Sequence, residues 1–123
     1  AAMFAGNKGL DNLVAIVDSN GLQIDGTVAE VNSPEPIPDK FAAFGFAVLT
    51  LDGHSFDEIE RAFDEAEKIS GKPVAIVMKT VKGKGVSFME NQVSWHGAAP
   101  NKEQYEQAVA ELNAALAEIE GGR

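Results

Sequence analysis

Two polar segments of this chain carry the residue types that bind a metal ion and an anion. In the first segment, residues 18–26, the side chains of Asp18, Asn20 and Asp25 supply oxygens, and the backbone adds carbonyl groups. Hard oxygen ligands of this kind suit Mg²⁺ or Ca²⁺. Asn-Gly and Asp-Gly are also common turn dipeptides, because both residue types tolerate a positive φ. Taken alone, the segment favours a turn over a metal site.

The second segment is residues 81–101, and the stretch Lys79–Lys84 at its start carries three lysines in six residues of an otherwise acidic protein. Lys82 and Lys84 alternate with glycines, and His96 follows Trp95 further along. Cations and backbone N–H groups bind phosphate oxygens, so this composition suits a metal-bound diphosphate. As an isolated motif it predicts a flexible turn, because it matches neither a Walker sequence nor a dinucleotide-binding one. An imidazole can transfer protons near neutral pH, although a lone histidine is more often structural.

Buried strands are predicted directly before both segments. Leu13–Asp18 contains a short, β-branched, uncharged run, which is typical of a strand buried on both faces of a parallel sheet. Residues 46–51 and 73–80 give two further strands, and residues 19–36 are predicted to be a long connection without regular structure. Ligands of open α/β sheets collect at the carboxyl ends of the strands. Both polar segments are therefore expected to leave one sheet edge and to face one site.

Helices are predicted around these strands. The first ends at Gly9, a second follows Pro38, Ser55 and Glu58 form a capping-box pattern before a third, and Asn101 caps the last. This alternation predicts an α/β fold with about three parallel strands and flanking helices. His54, in a turn before the third helix, is interpreted as structural. The predicted apolar stripes are Phe56, Ile59, Ala62, Phe63 and Ala66 on the third helix, and Tyr105, Val109, Leu112, Leu116 and Ile119 on the last.

Composition excludes several classes of partner and site. The 123 residues suit one domain or a piece of a larger one, and the apolar fraction of 45% is typical of a globular protein. A net charge of −9 makes nucleic acid a poor partner. The sequence has no apolar run of membrane-spanning length, which predicts no membrane partner. Cysteine is absent, which excludes disulfides and thiolate sites and is compatible with the cytoplasm.

The order of these motifs resembles transketolases over nearly the whole chain. NLVAIVDSNGLQIDG, residues 12–26, is similar to the thiamine diphosphate loop of that family. The resemblance implies that residues 1–123 are the C-terminal portion of a diphosphate-binding domain, from the amino-terminal half of a transketolase or from a separate subunit. The other matching segments are Ser33–Pro36, Asp39–Phe41, Phe44–Gly45, Asp52–His54, Lys79–Glu90 and Trp95–Pro100.

The resemblance also implies a role for individual residues. The side-chain oxygen of Asn20 and the backbone carbonyl of Leu22 would bind Mg²⁺, or Ca²⁺ in its place. Ile24 would pack against thiamine diphosphate, and Lys82 would approach its diphosphate. His96 would lie between the diphosphate and the substrate and move protons on substrate hydroxyls.

The implied reaction is transfer of a two-carbon ketol unit between sugar phosphates, as in the pentose phosphate pathway of the cytoplasm. The family's remaining metal ligand, the Asp of a Gly-Asp-Gly motif, would lie just before Ala1. The domain that binds the aminopyrimidine, with its activating Glu, would belong to a C-terminal subunit or domain. This chain alone is therefore expected to be inactive. Its exposed sheet edge is expected to favour a homo-oligomer or a partner.

Two alternatives stay open from the sequence. The chain could be a non-catalytic folded fragment that binds no cofactor. It could also belong to a related thiamine diphosphate enzyme, such as a deoxyxylulose-phosphate synthase or the E1 part of a keto-acid dehydrogenase. The combination of NGLQIDG with Trp-His-Gly-Ala favours transketolase over these enzymes.

Overall fold

The computed structural model describes residues 1–122, which form two compact units. The first, here called the sheet unit, contains Ala1–Asn20 and Asn32–Thr80. The second, the loop unit, contains Gly21–Val31 and the chain from Val81 onward. In chain order the elements are α1 (Ala2–Lys8), β1 (Val14–Ser19), β2 (Leu22–Gln23), β3 (Gly26–Thr27), α2 (Val28–Val31), α3 (Ile37–Ala43), β4 (Ala47–Asp52), α4 (Phe56–Ala66), β5 (Val74–Lys79), a 3₁₀ helix (Val93–His96) and α5 (Lys102–Gly121).

The sheet unit is built on three parallel strands in the order β1-β5-β4. Strand β5 is central, with Val74 opposite both Val14 and Ala47. Its first four residues are buried, and Ile76 is fully so. The predicted α/β fold with about three parallel strands and flanking helices is thereby confirmed.

The prediction that the first strand is buried on both faces was wrong. Strand β1 lies at an edge of the sheet, where Ile16 is 55% exposed and Val14 is also exposed, while Ala15 and Val17 are half-buried. Only β5 has a neighbouring strand on each side, and only its first four residues form a continuous buried run among the three strands. A β-branched uncharged run predicts a strand, but it does not reveal the strand's place in the sheet.

Helices cover the two faces of this sheet with separate apolar clusters. On one face, Ala62 and Ala66 of α4 pack with Leu51, Val74 and Ile76. On the other, the buried residues Ala5, Phe46 and Ala75 form a second cluster, with Ala2, Ala15, Phe41 and Val48 packed against it. Helix α1 lies so close to the end of α3 that a Cβ atom at Gly6 would lie 1.6 Å from the Phe44 carbonyl oxygen.

Helix α4 begins where predicted but buries a narrower face than predicted. The Ser55 hydroxyl accepts a hydrogen bond from the Glu58 amide at 3.3 Å, which confirms the cap. The Glu58 carboxylate accepts instead from the amide of Asp52 at 2.9 Å, and so joins the helix to the end of β4. Phe56 is 87% exposed and Phe63 is also exposed, so the helix packs through Ala62 and Ala66, with the half-buried Ile59 beside them.

Helix α5 differs from its prediction in the same way. The predicted cap is confirmed, since Asn101 and Gln104 form a complete capping box with two 2.9 Å hydrogen bonds. The buried residue of this helix is Ala108. Most of the predicted apolar stripe is exposed, namely Tyr105, Leu112, Leu116 and Ile119. Among residues 1–122, no helix is long and apolar enough to cross a membrane.

The connection after β1 has regular structure, contrary to the prediction. Strands β2 and β3 form a small antiparallel hairpin, with Leu22 opposite Thr27, and α2 follows directly. Thr27 and Glu30 cap this short helix reciprocally: the Thr27 hydroxyl donates to the Glu30 carboxylate at 2.7 Å and accepts from the Glu30 amide at 3.3 Å. The Thr-x-x-Glu spacing is a capping-box signal that could have identified the helix.

Candidate functional site

At the carboxyl edge of the sheet unit, one carboxylate joins the ends of two strands. Asp18 accepts hydrogen bonds from the Thr80 hydroxyl at 2.5 Å and from the side-chain amide of Asn20 at 3.1 Å. Because β1 and β5 are parallel, with Ser19 opposite Lys79, both polar segments leave the same sheet edge, as predicted. Sequence reasoning placed Asp18 at the end of a strand and gave its carboxylate as one of the oxygen donors of the segment. Its pairing with Thr80 depends on strand register, which no local pattern reveals.

This contact fixes the orientation of the Asn20 side chain. Its amide nitrogen donates to Asp18, so the amide oxygen lies on the other side of the group. Hard metal ions bind oxygen rather than amide nitrogen. The amide oxygen of the half-buried Asn20 therefore faces away from Asp18.

The hairpin of the loop unit carries the next two predicted residues. Leu22 is half-buried in β2, and Ile24 is 64% exposed in the two-residue turn between the strands. The hairpin is followed by the capped helix α2, where the hydrogen bonds from the Thr27 side chain and then its backbone lower the pKa of Glu30. The structure thus presents an apolar side chain at the tip of a short, capped element.

The lysine-rich segment forms turns, as expected of the isolated motif, and hydrogen bonds join their residues. The Asn91 amide donates to the Lys82 carbonyl at 2.9 Å and closes the segment into a loop. Inside it, the Gly85 amide donates to the Glu90 carboxylate at 3.0 Å. Gly83 has φ of 72°, and a Cβ atom there would lie 2.6 Å from the Met89 carbonyl oxygen, so only glycine fits without a shift.

The two lysines of this loop have different surroundings. The Lys84 ammonium lies 3.5 Å from the Glu90 carboxylate. Within residues 1–122, no ion pair is formed by Lys82, which is half-buried. Glu90 therefore lies beside Lys84, whereas Lys82 has no such carboxylate partner among the described residues.

His96 ends the 3₁₀ helix and is exposed, as its position in a loop predicted. The preceding Trp95 is half-buried and donates from its indole nitrogen to the Phe88 carbonyl at 3.0 Å. The rings of Trp95 and Phe88 also lie 5.4 Å apart. Trp95 thus anchors the segment, and His96 remains accessible to a ligand.

A carboxylate on α5 holds the same loop from the other side. Glu111 accepts from the Ser87 amide and from the Ser87 hydroxyl, both at 2.7 Å, with one bond to each carboxylate oxygen. Gln107 donates to it at 2.8 Å. The Ser87 backbone hydrogen bond, followed by those from the two side chains, lowers the pKa of Glu111. Sequence reasoning missed this contact, because its partners lie 24 residues apart in no recognisable motif.

The structure groups the predicted residues by unit. Leu22, Ile24, Lys82 and His96 belong to the loop unit, and Asn20 is the last residue of the sheet unit's first segment. Within residues 1–122, no three His, Cys, Asp or Glu side chains form a group that could hold a metal ion. In the kind of donor they offer, side-chain and backbone oxygens in one set and a lysine in the other, the predicted residues suit a metal-bound diphosphate.

A cavity of about 390 Å³ lies elsewhere, in the sheet unit. It is formed between β4 and α4, and none of the predicted site residues lines it. Its charged side chains are Glu58, Arg61 and Glu65.

Comparison with known proteins identifies one family. The family model described as transketolase, thiamine diphosphate binding domain, matches residues 1–116. The chain is 47% identical over 112 residues to the 6-deoxy-6-sulfo-D-fructose transketolase subunit SqwG of Clostridium sp. (strain MSTE9), covering 91% of this chain and 41% of that protein. It is 44% identical over 120 residues to an apulose-4-phosphate transketolase subunit of Phocaeicola vulgatus, covering 98% of this chain and 43% of that protein. The chain thus spans less than half the length of these relatives.

Solved structures show the same fold. The transketolase of Campylobacter jejuni matches with a TM-score of 0.81 and 37% identity, over 87% of this chain and 17% of that one. A Pichia stipitis transketolase in complex with sedoheptulose-7-phosphate matches with a TM-score of 0.80 and 28% identity, over 87% of this chain and 16% of that one. These matches confirm the predicted resemblance and the parallel α/β fold.

Proposed function

We propose a function from the premise that this chain belongs to the family of transketolase thiamine diphosphate binding domains. The chain is part of a transketolase, as the C-terminal portion of its diphosphate-binding domain, and binds thiamine diphosphate with Mg²⁺ or Ca²⁺. The whole protein transfers a two-carbon ketol unit between sugar phosphates. The family match over residues 1–116 supports the cofactor, and the relatives named as transketolases support the reaction.

Each predicted residue has a separate role in this proposal. The Asn20 side-chain oxygen and the Leu22 carbonyl bind the metal ion, and Ile24 packs against the cofactor. Lys82 attracts the diphosphate, and His96 moves protons on substrate hydroxyls. Thiamine diphosphate itself supplies the carbon nucleophile when it is bound.

The difference between the two lysines is the observation that carries the diphosphate assignment. Lys84 is paired with Glu90 at 3.5 Å, whereas Lys82 forms no ion pair within the described residues. The ordered loop holds Lys82 in place through its backbone carbonyl. An ordered and uncompensated cation beside glycine-rich backbone is suited to bind phosphate oxygens.

The names of the relatives support the proposed substrates and partners. Two of them are named as transketolase subunits, which supports a C-terminal transketolase subunit or domain as the partner of this chain. Their names include a sulfo-sugar and a sugar phosphate, which supports anionic sugars as the substrates. Exposed Val14 and Ile16 at the sheet edge support assembly, including a homo-oligomer. The family's reaction suits the pentose phosphate pathway and a cytoplasmic location.

On its own, the chain is proposed to bind the cofactor weakly and to be catalytically inactive. Asn20 and Leu22 contribute neutral oxygens only, and Mg²⁺ demands near-octahedral oxygen coordination. Within residues 1–122 no cluster of acidic or histidine side chains completes such a set. This proposal keeps the folded, non-catalytic fragment as the state of the isolated chain and assigns catalysis to the assembled protein.

Ketol transfer in the assembled protein tests the site assignment. We expect His96→Ala to lower kcat by about 100-fold, the usual contribution of a positioned acid or base. Asn20→Ala should raise the Mg²⁺ concentration needed for half-maximal activity. His54→Ala is the matched control, because His54 lies in a turn outside the proposed site. Unchanged kinetics in both His96→Ala and Asn20→Ala would remove these residues from the site.

A further inference from the structure

The Ser87–Glu111 contact lies next to the turn that contains Lys82 and Lys84. Val86, beside the anchored serine, is buried, with 8% exposure. Its amide donates to the Gly83 carbonyl at 3.2 Å, and its own carbonyl accepts from the Glu90 amide at 3.1 Å. A Cβ atom at Gly85 would lie 3.4 Å from a methyl group of Leu112 on α5. The turn is therefore packed closely against the helix that carries Glu111.

Glu111 is the strongest polar link in this packing. Hydrogen bonds to a charged acceptor are shorter and stronger than neutral ones, and Glu111 accepts three of them. Both carboxylate oxygens receive a donor from the same serine, so the carboxylate fixes the direction of the loop backbone as well as its distance from α5.

We propose that Glu111, acting through Ser87, is a positioning residue that holds the Lys82 turn in the shape that receives a diphosphate. This inference rests on the proposed function, since it names a residue that shapes the same anion site. When a loop is already ordered before the ligand arrives, binding does not include the entropic cost of ordering it. The contribution of Glu111 is therefore to diphosphate affinity, although it does not contact the diphosphate itself.

If Glu111 served only to stabilise helix α5, its substitution would unfold that helix rather than loosen the loop. Helix α5 has its own capping box at Asn101 and its own buried residue, Ala108. Loss of the Glu111 bonds should therefore loosen the loop while α5 stays folded. Far-ultraviolet circular dichroism of Glu111→Gln should match that of the wild-type chain.

Two measurements on the 123-residue chain test the proposal. Amide hydrogen exchange, read by NMR, reports whether Gly85 and Ser87 are held without any ligand. Calorimetric titration with Mg²⁺ and inorganic pyrophosphate reports anion affinity. For Glu111→Gln we expect faster exchange at both amides and about 5- to 10-fold weaker pyrophosphate binding, the size of losing one ordinary hydrogen bond, because glutamine keeps an oxygen acceptor but loses the charge. Glu118→Gln, with the same charge change on the exposed side of α5, should change neither.

A double-mutant cycle with Lys82 separates positioning from other effects. In a Lys82→Met background, Glu111→Gln should weaken binding far less than it does in the wild-type chain, because the lysine it positions is gone. Equal effects in both backgrounds, or unchanged exchange in Glu111→Gln, would overturn the inference. Ser87→Ala, which removes only the hydroxyl, should give a smaller effect in the same direction, and it serves if Glu111→Gln does not fold.

The outcomes also distinguish this inference from the proposed function. If the wild-type chain binds pyrophosphate and Glu111→Gln binds it equally well, the inference alone fails. If the wild-type chain binds neither pyrophosphate nor thiamine diphosphate at any Mg²⁺ concentration, the proposed anion site fails, and the inference fails with it.

Discussion

The sheet unit and the loop unit are stabilised by different interactions. The sheet unit contains most of the buried apolar side chains, centred on β5, where Ala75 and Ile76 are fully buried. In the loop unit, Val86 and Ala108 are the buried apolar residues within the described part of the chain. Its order comes instead from polar contacts at Glu30, Glu90 and Glu111.

This difference separates a scaffold from the unit that holds most of the proposed binding residues. Burial of apolar area is non-directional and strong, so it gives a rigid sheet whose carboxyl edge can position Asn20. Hydrogen bonds are directional and individually modest, so they can set the shape of a loop around an anion. Substitutions should therefore have large effects on stability in the sheet unit and local effects in the loop unit.

The largest effect is expected from truncating the centre of the sheet. Ile76→Ala should lower the free energy of unfolding by about 2–5 kcal/mol, because it removes buried methyl groups and leaves a cavity. Ile16, directly opposite Ile76 in the parallel pair, is 55% exposed and makes a matched control. Ile16→Ala should cost less than about 1 kcal/mol. Urea denaturation measures both, and equal costs would contradict the assignment of β5 as the core.

A smaller effect is expected from a side chain inside the lysine loop. Gly83→Ala adds a Cβ atom 2.6 Å from the Met89 carbonyl at a φ of 72°. The cost should be about 1–3 kcal/mol, from strain and from displacement of the loop. Gly21→Ala is the control, since Gly21 has a similar φ of 75° with no atom within 4 Å of the added Cβ. If the two substitutions lower the midpoint temperature of thermal unfolding equally, the close contact between residue 83 and Met89 would be contradicted.

The cap of α5 should contribute about 1 kcal/mol. Asn101→Ala removes the side-chain acceptor of the Gln104 amide and should lower stability by that amount. Asn113→Ala, at an exposed position within the same helix, should be neutral or slightly stabilising, because alanine has the higher helix propensity. A loss at residue 113 as large as that at residue 101, measured by thermal unfolding, would show that the cap has no special role.

The smallest effect is a pH dependence confined to the loop unit. Hydrogen bonds from Ser87 lower the pKa of Glu111, so this carboxylate stabilises the folded loop at pH values above its ordinary pKa in the unfolded chain. The stabilisation is lost as the pH falls through the lowered pKa. Exchange at the Ser87 amide should therefore quicken in acid relative to β5 amides, after correction for intrinsic rates. Glu111→Gln should remove that difference, and a difference that persists would assign the titration to another group.

Most of the strands and helices of the scaffold could be predicted from the sequence, because local sequence patterns indicate where each one begins and ends. The apolar runs before residues 18 and 79, the serine cap at Ser55 and the asparagine cap at Asn101 all identify elements that the structure contains. The position of each strand in the sheet could not be predicted, because burial depends on neighbours from distant parts of the chain. The exposed Phe56 and Leu116 show the same limit for helix faces.

The candidate site was predicted in its residue types but not in its supporting contacts. Resemblance named Asn20, Leu22, Ile24, Lys82 and His96, and their roles stay predictions. The sequence did not reveal that Asp18 orients Asn20 or that Glu111 anchors the lysine loop. Both contacts join residues through tertiary packing, where spacing along the chain carries no signal.

The most direct test of the proposed function is an NMR titration of the 123-residue chain with thiamine diphosphate and Mg²⁺. Binding should shift the amide signals of Asn20, Leu22 and the lysine loop, and a Lys82→Met variant should lose the response that Lys84→Met retains. Shifts confined to the cavity between β4 and α4, or equal responses in the two lysine variants, would contradict the assignment of Lys82 to the diphosphate.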